Sequence, residues 1–223
     1  MSDVLVIAVH PDDETLGCGG TLLKHKANGD TITWAIVTQT HAPAWTLETI
    51  ERKADEVRRV AELYGITRCE RLGFPSTQLD VISQSDLMTK LHAVVAAHRP
   101  DTVYVVHGGD VHSDHRATSI ATLAVLKPFH MAKFGVRRVL SYETLSSTDA
   151  AAPHISNAFV PTVFCDVTPY LERKLEIMAM YASEAQPDPL PRGPSAIRAL
   201  ARLRGASIGV EYAEAFVLLR ERS

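Results

Sequence analysis

Two short segments hold most of the side chains able to bind a cation or move a proton. One is His10-Pro11-Asp12-Asp13-Glu14; the other is His107-Gly108-Gly109-Asp110-Val111-His112-Ser113-Asp114-His115. Three adjacent carboxylates repel one another, and a turn or a helix cap needs only one or two of them. A cation between the segments would attract the acids and lower their pKa values. A histidine and a carboxylate from the first segment, with a histidine from the second, make an ordinary ligand set for catalytic zinc, one position being left to water. The remaining acid and histidine would then be free for proton transfer. Either segment alone reads more simply as a capped helix start. That reading does not explain two such segments at matching places in the chain.

Each segment follows a run of apolar, β-branched residues. Val4–Val9 reads as a strand covered on both faces, and Thr102–Val106 as another. Between and beyond them the pattern alternates. Helices are expected over Glu14–Ala27, Leu47–Tyr64, Gln84–His98 and His115–Leu126, and strands over Thr31–Val37, Cys69–Leu72 and Arg138–Tyr142. A strand over Val163–Val167, helices over Pro169–Ala182 and Ser195–Leu203, and a last strand over Tyr212–Leu219 complete the reading. This alternation predicts right-handed βαβ units and an α/β fold with a mainly parallel sheet. In such a sheet, ligands sit beyond the carboxyl ends of the strands, where the strand order reverses. If the first and fourth strands are neighbours, the two segments face each other across one crevice.

The chain has 223 residues, suited to one domain over 1–223, and is 46% apolar, enough for a real core. Its formal charge of -3 provides no basic footprint for nucleic acid. Cys18, Cys69 and Cys165 are far apart and odd in number, which suits reduced thiols in the cytoplasm better than a disulfide framework. No apolar run approaches the ~20 residues of a membrane span. Self-association into a homo-oligomer fits a chain of this size, with no stripe to set the number of subunits. Gly17, Gly19 and Gly20 lack the Gly-x-Gly-x-x-Gly spacing of a dinucleotide site and fall inside the first helix. They are expected to let that helix lie close on the sheet, with Cys18 as a small core residue.

Ala8-Val9-His10-Pro11-Asp12-Asp13-Glu14, the following Gly-x-Gly-Gly-Thr and the downstream His112-Ser113-Asp114-His115 resemble the signature of PIG-L/LmbE-type N-deacetylases. Leu72-Gly73-Phe74, Tyr142-Glu143 and Tyr212-Ala213-Glu214-Ala215-Phe216 extend the resemblance along most of the chain. It implies a Rossmann-like three-layer αβα fold, one zinc ion per chain and removal of an N-acetyl group from a small amino sugar. His10, Asp13 and His115 would be the metal ligands and Asp12 the general base. His112 would act on the oxyanion or the leaving amine, and Asp114 would hold a histidine in orientation. Another divalent ion is compatible with such ligands. Some family members carry a tyrosine shortly before the His-x-Asp-His segment. Here Gly108, Gly109, Asp110 and Val111 stand there, which leaves the oxyanion to His112 or to a residue from elsewhere.

Weaker candidates lie around these. Glu143, after the fifth strand, is a candidate for sugar hydroxyls and equally a surface acid. Arg52 with Lys53, and Arg192 in the proline-rich stretch 184–194, are candidates for an anionic, nucleotide- or lipid-linked part of a substrate, against a solvated face. His41 and Trp45 follow the second strand, where a sugar could stack. Two rival readings are a metallo-β-lactamase-like hydrolase, from Asp110-x-His112-x-Asp114-His115, and a non-catalytic sugar-binding Rossmann-like module. The first demands antiparallel hairpins early in the chain; the second has no use for a base beside an open metal.

Overall fold

The computed structural model describes residues 1–223. Strands β1 (Asp3–Ala8), β2 (Thr31–Gln39), β3 (Arg68–Pro75), β4 (Thr102–Val106) and β5 (Arg138–Tyr142) are mutually parallel. With β6 (Val163–Asp166) and β7 (Ala213–Glu221) they form one seven-stranded sheet in the order β3-β2-β1-β4-β5-β7-β6, β7 running antiparallel to both neighbours. Leu5, Val6, Ile7 and Ala8 of β1 are fully buried, so the run is continuously apolar instead of alternating.

Helices α1 (Asp13–Ala27), α2 (Leu47–Tyr64), α3 (Gln84–His98), α4 (Ser113–Val125), α5 (Pro128–Phe134), α6 (Leu171–Met178) and α7 (Pro194–Ala206) cover the sheet. α1 packs with α2 and α6, and α3 packs with α4. The chain builds outward from β1 through β2 to β3, then crosses back to place β4 on the other side of β1. The strand order therefore reverses between β1 and β4, as the parallel pattern predicted.

The structure differs from the sequence reading in a few elements. α5 lies outside that reading, although Pro128 in its first turn and Gly135 after its end, at φ 83, are ordinary start and stop signals. β3 runs on to Pro75 because a register shift against β2 lets pairing resume at Phe74 and Pro75. α6 stops at Met178 instead of Ala182.

α1 holds the first segment in place, and close packing sets its position. A Cβ at Gly17 would stand 2.0 Å from the Tyr142 ring, and one at Gly20 would stand 2.7 Å from Val167. Only glycine permits this approach. The helix is broken at Cys18 (φ -141, ψ 20), which frees backbone groups on both sides of the break. A buried ion pair splints it. Glu214 Oε1 and Oε2 accept from the Gly20 and Thr21 amides at 2.8 and 2.7 Å. Lys174 Nζ donates to the Leu16 carbonyl at 2.9 Å and to Glu214 at 2.7 Å. Removing one partner leaves the other charge buried and alone, so Lys174→Met is expected to lower stability by about 3–5 kcal/mol. Urea unfolding measures this; a loss below about 1 kcal/mol, the level of an exposed pair, would show that the splint is dispensable.

Candidate metal centre and active site

The turn after β1 carries an unusual backbone. Asp12 has φ 131, a region L-residues rarely occupy, at a cost on the order of 1–3 kcal/mol. Its amide donates to Glu14 Oε2 at 3.2 Å, and Glu14 Oε1 accepts from Thr15 Oγ1 at 2.6 Å and from Tyr181 OH at 2.7 Å. Glu14 is thus the internal brace of the turn. Burial pushes its carboxyl up to about 7. Asp13 Oδ2 accepts from the Val9 and His10 amides at 3.1 and 2.8 Å, which fixes the adjacent carboxylate from the other side.

The two segments meet as the reversal in strand order requires. His115 Nε2 lies 3.3 Å from His10 Nδ1 and 3.4 Å from Asp13 Oδ2, and His10 Nδ1 lies 3.7 Å from Asp13 Oδ2. With metal–ligand bonds of about 2.0–2.1 Å, a tetrahedral ion separates its ligands by about 3.3–3.4 Å. The triangle therefore has the size of one face of such a site, and these three residues form a group able to hold a metal ion.

Each histidine has its far nitrogen on a buried carboxylate. His10 Nε2 lies 3.2 Å from Asp114 Oδ2, and His115 Nδ1 lies 2.8 Å from Asp110 Oδ2. Such contacts orient imidazoles whose other nitrogen faces a metal. Asp114 is itself held by the Thr77 and Leu79 amides at 2.7 and 3.0 Å, and Asp110 by Thr148 Oγ1 at 2.6 Å. The sequence reading missed the role of Asp110; its spacing of five residues before His115, across a helix start, was the available signal. Electrostatics point the same way. Burial would raise the Asp13 carboxyl, but His115 and His10 hold it well below the usual range. Burial would likewise depress the His115 imidazole, but Asp13 and Asp110 push it up to about 10. Asp12, Asp13, Glu14, Asp110 and Asp114 are all buried here, a set that calls for a positive charge.

His112 is the residue before α4. Its Nδ1 accepts from the Asp114 amide at 3.2 Å; its ring stacks on His115, centroids 5.1 Å apart, and lies tilted 4.6 Å from His10. Of the two histidines near Asp114, its carboxylate reaches His10, and only its backbone amide reaches His112.

Asp12 faces the cavity. Burial, Asp13 and Glu184 push its carboxyl well up, while Arg192 opposes them. Arg192 Nη1 lies 3.3 Å from Asp12 Oδ2 and 2.9 Å from Glu184 Oε2, and Lys53 Nζ lies 2.5 Å from Glu184 Oε1. The proline-rich stretch thus reaches the site through Glu184 and Arg192. His10, Asp12, Asp13, His112, His115, Trp45, Lys53 and Arg192 line one cavity of about 450 Å³.

Three candidates lie elsewhere. Arg52 is on the outer side of α2, half exposed, 4.0 Å from Glu56 on its own helix; Lys53 takes the inner place. Glu143 binds Arg204 through both oxygens, at 2.7 and 2.6 Å, in a neighbouring cavity of about 560 Å³. His41 does not line the cavity that holds His10 and His115, whereas Trp45 does.

The profile of the PIG-L family, described as GlcNAc-PI de-N-acetylase, matches residues 5–126, which include both segments. The chain belongs to the PIG-L family. This PIG-L protein is 24% identical over 190 residues to a probable N-acetyl-alpha-D-glucosaminyl L-malate deacetylase 2 of Bacillus anthracis, covering 81% of this chain and 80% of that one. It is 24% identical to the diacetylchitobiose deacetylase of Thermococcus kodakarensis, covering 95% of this chain and 80% of that one. Its fold matches the crystal structure of the conserved protein TT1542 from Thermus thermophilus with a TM-score of 0.77 and 28% identity, over 100% of this chain and 97% of that one. No helix of this PIG-L protein is long and apolar enough to cross a membrane.

Proposed function

We propose that the protein hydrolyses the N-acetyl group of a small amino-sugar compound, releasing acetate, with a divalent metal, zinc by its ligand set, held by His10, Asp13 and His115. The observation that carries this reading is the ligand triangle of 3.3 to 3.7 Å, backed by a buried carboxylate on each histidine. The family and the names of the relatives support the substrate class. When bound, the metal supplies the positive charge that polarises an amide carbonyl and acidifies water.

The remaining work falls to this chain's own side chains. Asp12 is the base: buried and raised in pKa, it accepts the proton of the attacking water and later returns it to the departing amine. Arg192 holds the Asp12 carboxylate in the cavity. His112 is an oxyanion donor. Because its Nδ1 accepts an amide hydrogen, its own hydrogen is assigned to Nε2, so a neutral ring can donate without first being charged. Asp114 and Asp110 keep His10 and His115 turned inward. The three cysteines are all free, which supports a reducing cytoplasmic setting.

A single sheet flanked by helices excludes the metallo-β-lactamase-like sandwich. A non-catalytic binding module remains the contrasting reading, and one experiment separates the two. Metal content and acetate release from a panel of N-acetyl amino sugars are measured together. About one divalent ion per chain with acetate released is expected. A metal-loaded protein that binds these sugars and releases nothing would establish the binding module instead.

A further inference from the structure

Beneath the Asp12 turn runs a chain of buried hydrogen bonds that touches no reacting atom. Tyr64 OH, at the end of α2, donates to Thr15 Oγ1 at 3.0 Å, and Thr15 Oγ1 donates to Glu14 Oε1 at 2.6 Å. Tyr181 OH, from the turn after α6, donates to the same Glu14 oxygen at 2.7 Å. The other Glu14 oxygen accepts from the Asp12 amide at 3.2 Å. Glu14, Thr15, Tyr64 and Tyr181 are at most 1% exposed, and none of them lines the metal cavity. Polar groups taken out of water are costly, and an apolar core would avoid that cost. What this network reaches is the backbone of Asp12, the residue at φ 131. A residue in that region stays there only when its surroundings over-determine it.

Tyr181 also opens the stretch that leads to Arg192. Its carbonyl accepts from the Glu184 and Ala185 amides at 2.9 and 2.8 Å, and the Arg192 amide donates to Gln186 Oε1 at 3.0 Å. Arg192 Nη1 in turn meets the Asp12 carboxylate at 3.3 Å. Residues 181–192 therefore grip Asp12 twice, on its backbone through Tyr181 and Glu14, and on its carboxylate through Arg192. We propose that Tyr181 is a positioning residue for the base. Through Glu14 it locks the Asp12 backbone in its left-handed conformation, and so fixes the carboxylate where it takes the proton of the attacking water. This rests on the deacetylase reading above. Tyr181 touches no reacting atom in it and acts on the rate only through Asp12.

Tyr181→Phe tests this, because it keeps the ring, which is part of the core, and removes only the hydroxyl. In metal-loaded protein it is expected to lower kcat by ~10–100-fold, with KM and metal content unchanged, the scale of a catalytic group misplaced by up to ~1 Å. Built on Asp12→Asn, the same substitution is expected to lower the residual rate no further, because the base it positions is already gone. That residual rate is read with enzyme in excess of sugar. Hydrogen exchange of the peptide spanning residues 9–16, followed by mass spectrometry, gives a readout that needs no turnover. Exchange there is expected to speed up by ~10-fold or more in Tyr181→Phe, as the turn opens locally. Tyr104→Phe is the control. It removes another buried hydroxyl, one that lies 3.1 Å from His25 Nε2 in the last turn of α1, and is expected to leave kcat and the exchange of the turn at wild-type values. An unchanged kcat in Tyr181→Phe, an equal fall in the wild-type and Asp12→Asn backgrounds, or unchanged exchange in the turn overturns the proposal. If the metal-loaded wild type releases no acetate from any sugar, the deacetylase reading falls, and the exchange result alone upholds or overturns the hold of Tyr181 on the turn.

Discussion

His115→Ala is expected to strip the protein of metal and to lower acetate release by about three orders of magnitude or more, as loss of several kcal/mol of charge stabilisation requires. Elemental analysis of the purified variant beside the wild type checks the first part, and a coupled acetate assay the second. The reason is geometric. His115 Nε2 is the atom closest to both other ligand atoms, at 3.3 and 3.4 Å, so without it His10 and Asp13 are two ligands without a third. Removing it also leaves Asp110 and Asp13 facing an empty space while buried, so some loss of stability accompanies the loss of metal. Asp110→Asn separates the two effects. It keeps the size of the side chain and a hydrogen-bonding oxygen but removes the charge behind His115, and is expected to weaken metal binding by ~10–100-fold. A His115→Ala protein that still holds a stoichiometric ion and turns over would break the ligand assignment.

Asp12→Asn should leave fold and metal in place while lowering kcat by ~10²–10⁴, the usual contribution of a positioned base. KM should change little, because the substitution removes a proton acceptor and not a binding surface. Asparagine is the suitable replacement because it tolerates the left-handed backbone at φ 131 better than most residues. The variant should also be slightly more stable than the wild type. Asp12 is buried beside Asp13 and near Glu184, and removing its charge relieves that repulsion at the expense of activity. Steady-state kinetics on metal-loaded protein, with thermal unfolding in parallel, measure both. Full activity in a metal-loaded Asp12→Asn protein would mean that another group takes the proton, and the raised pKa of Asp12 would then reflect burial alone.

Much of this protein could be read along the chain. The apolar run of β1, the stripe on α2 and the Asn28-Gly29 and Gly65 stops are local signals, and each marks an element that the structure contains. The nearness of the proposed ligands was partly legible for a related reason. His10 and Asp13 fall just beyond the end of β1, and His115 in the first turns of α4 beyond β4. The sequence left the adjacency of β1 and β4 as a condition, met in one of the two common doubly wound orders. The structure meets that condition, and the two strand ends come together.

What tertiary structure alone decided are contacts whose partners lie far apart in sequence and whose choice depends on side-chain direction. Asp114 could have turned to either nearby histidine; the Thr77 and Leu79 amides, from beyond β3, turn it to His10. Lys53 and Arg52 are neighbours in sequence, but on a helix they point about 100° apart. Only Lys53 lies beside Ile50, Ala54 and Val57 on the face toward the cavity. Glu143 met Arg204 of α7 because β7 inserts antiparallel beside β5 and brings α7 against the sheet, an arrangement that no local pattern encodes. Arg192 reaches Asp12 across 180 residues. The sequence by itself determined which residues could do chemistry and which strand ends would carry them, since those are matters of residue type and short-range periodicity. The tertiary structure decided which of them touch, because that depends on long-range packing and on one strained turn at Asp12.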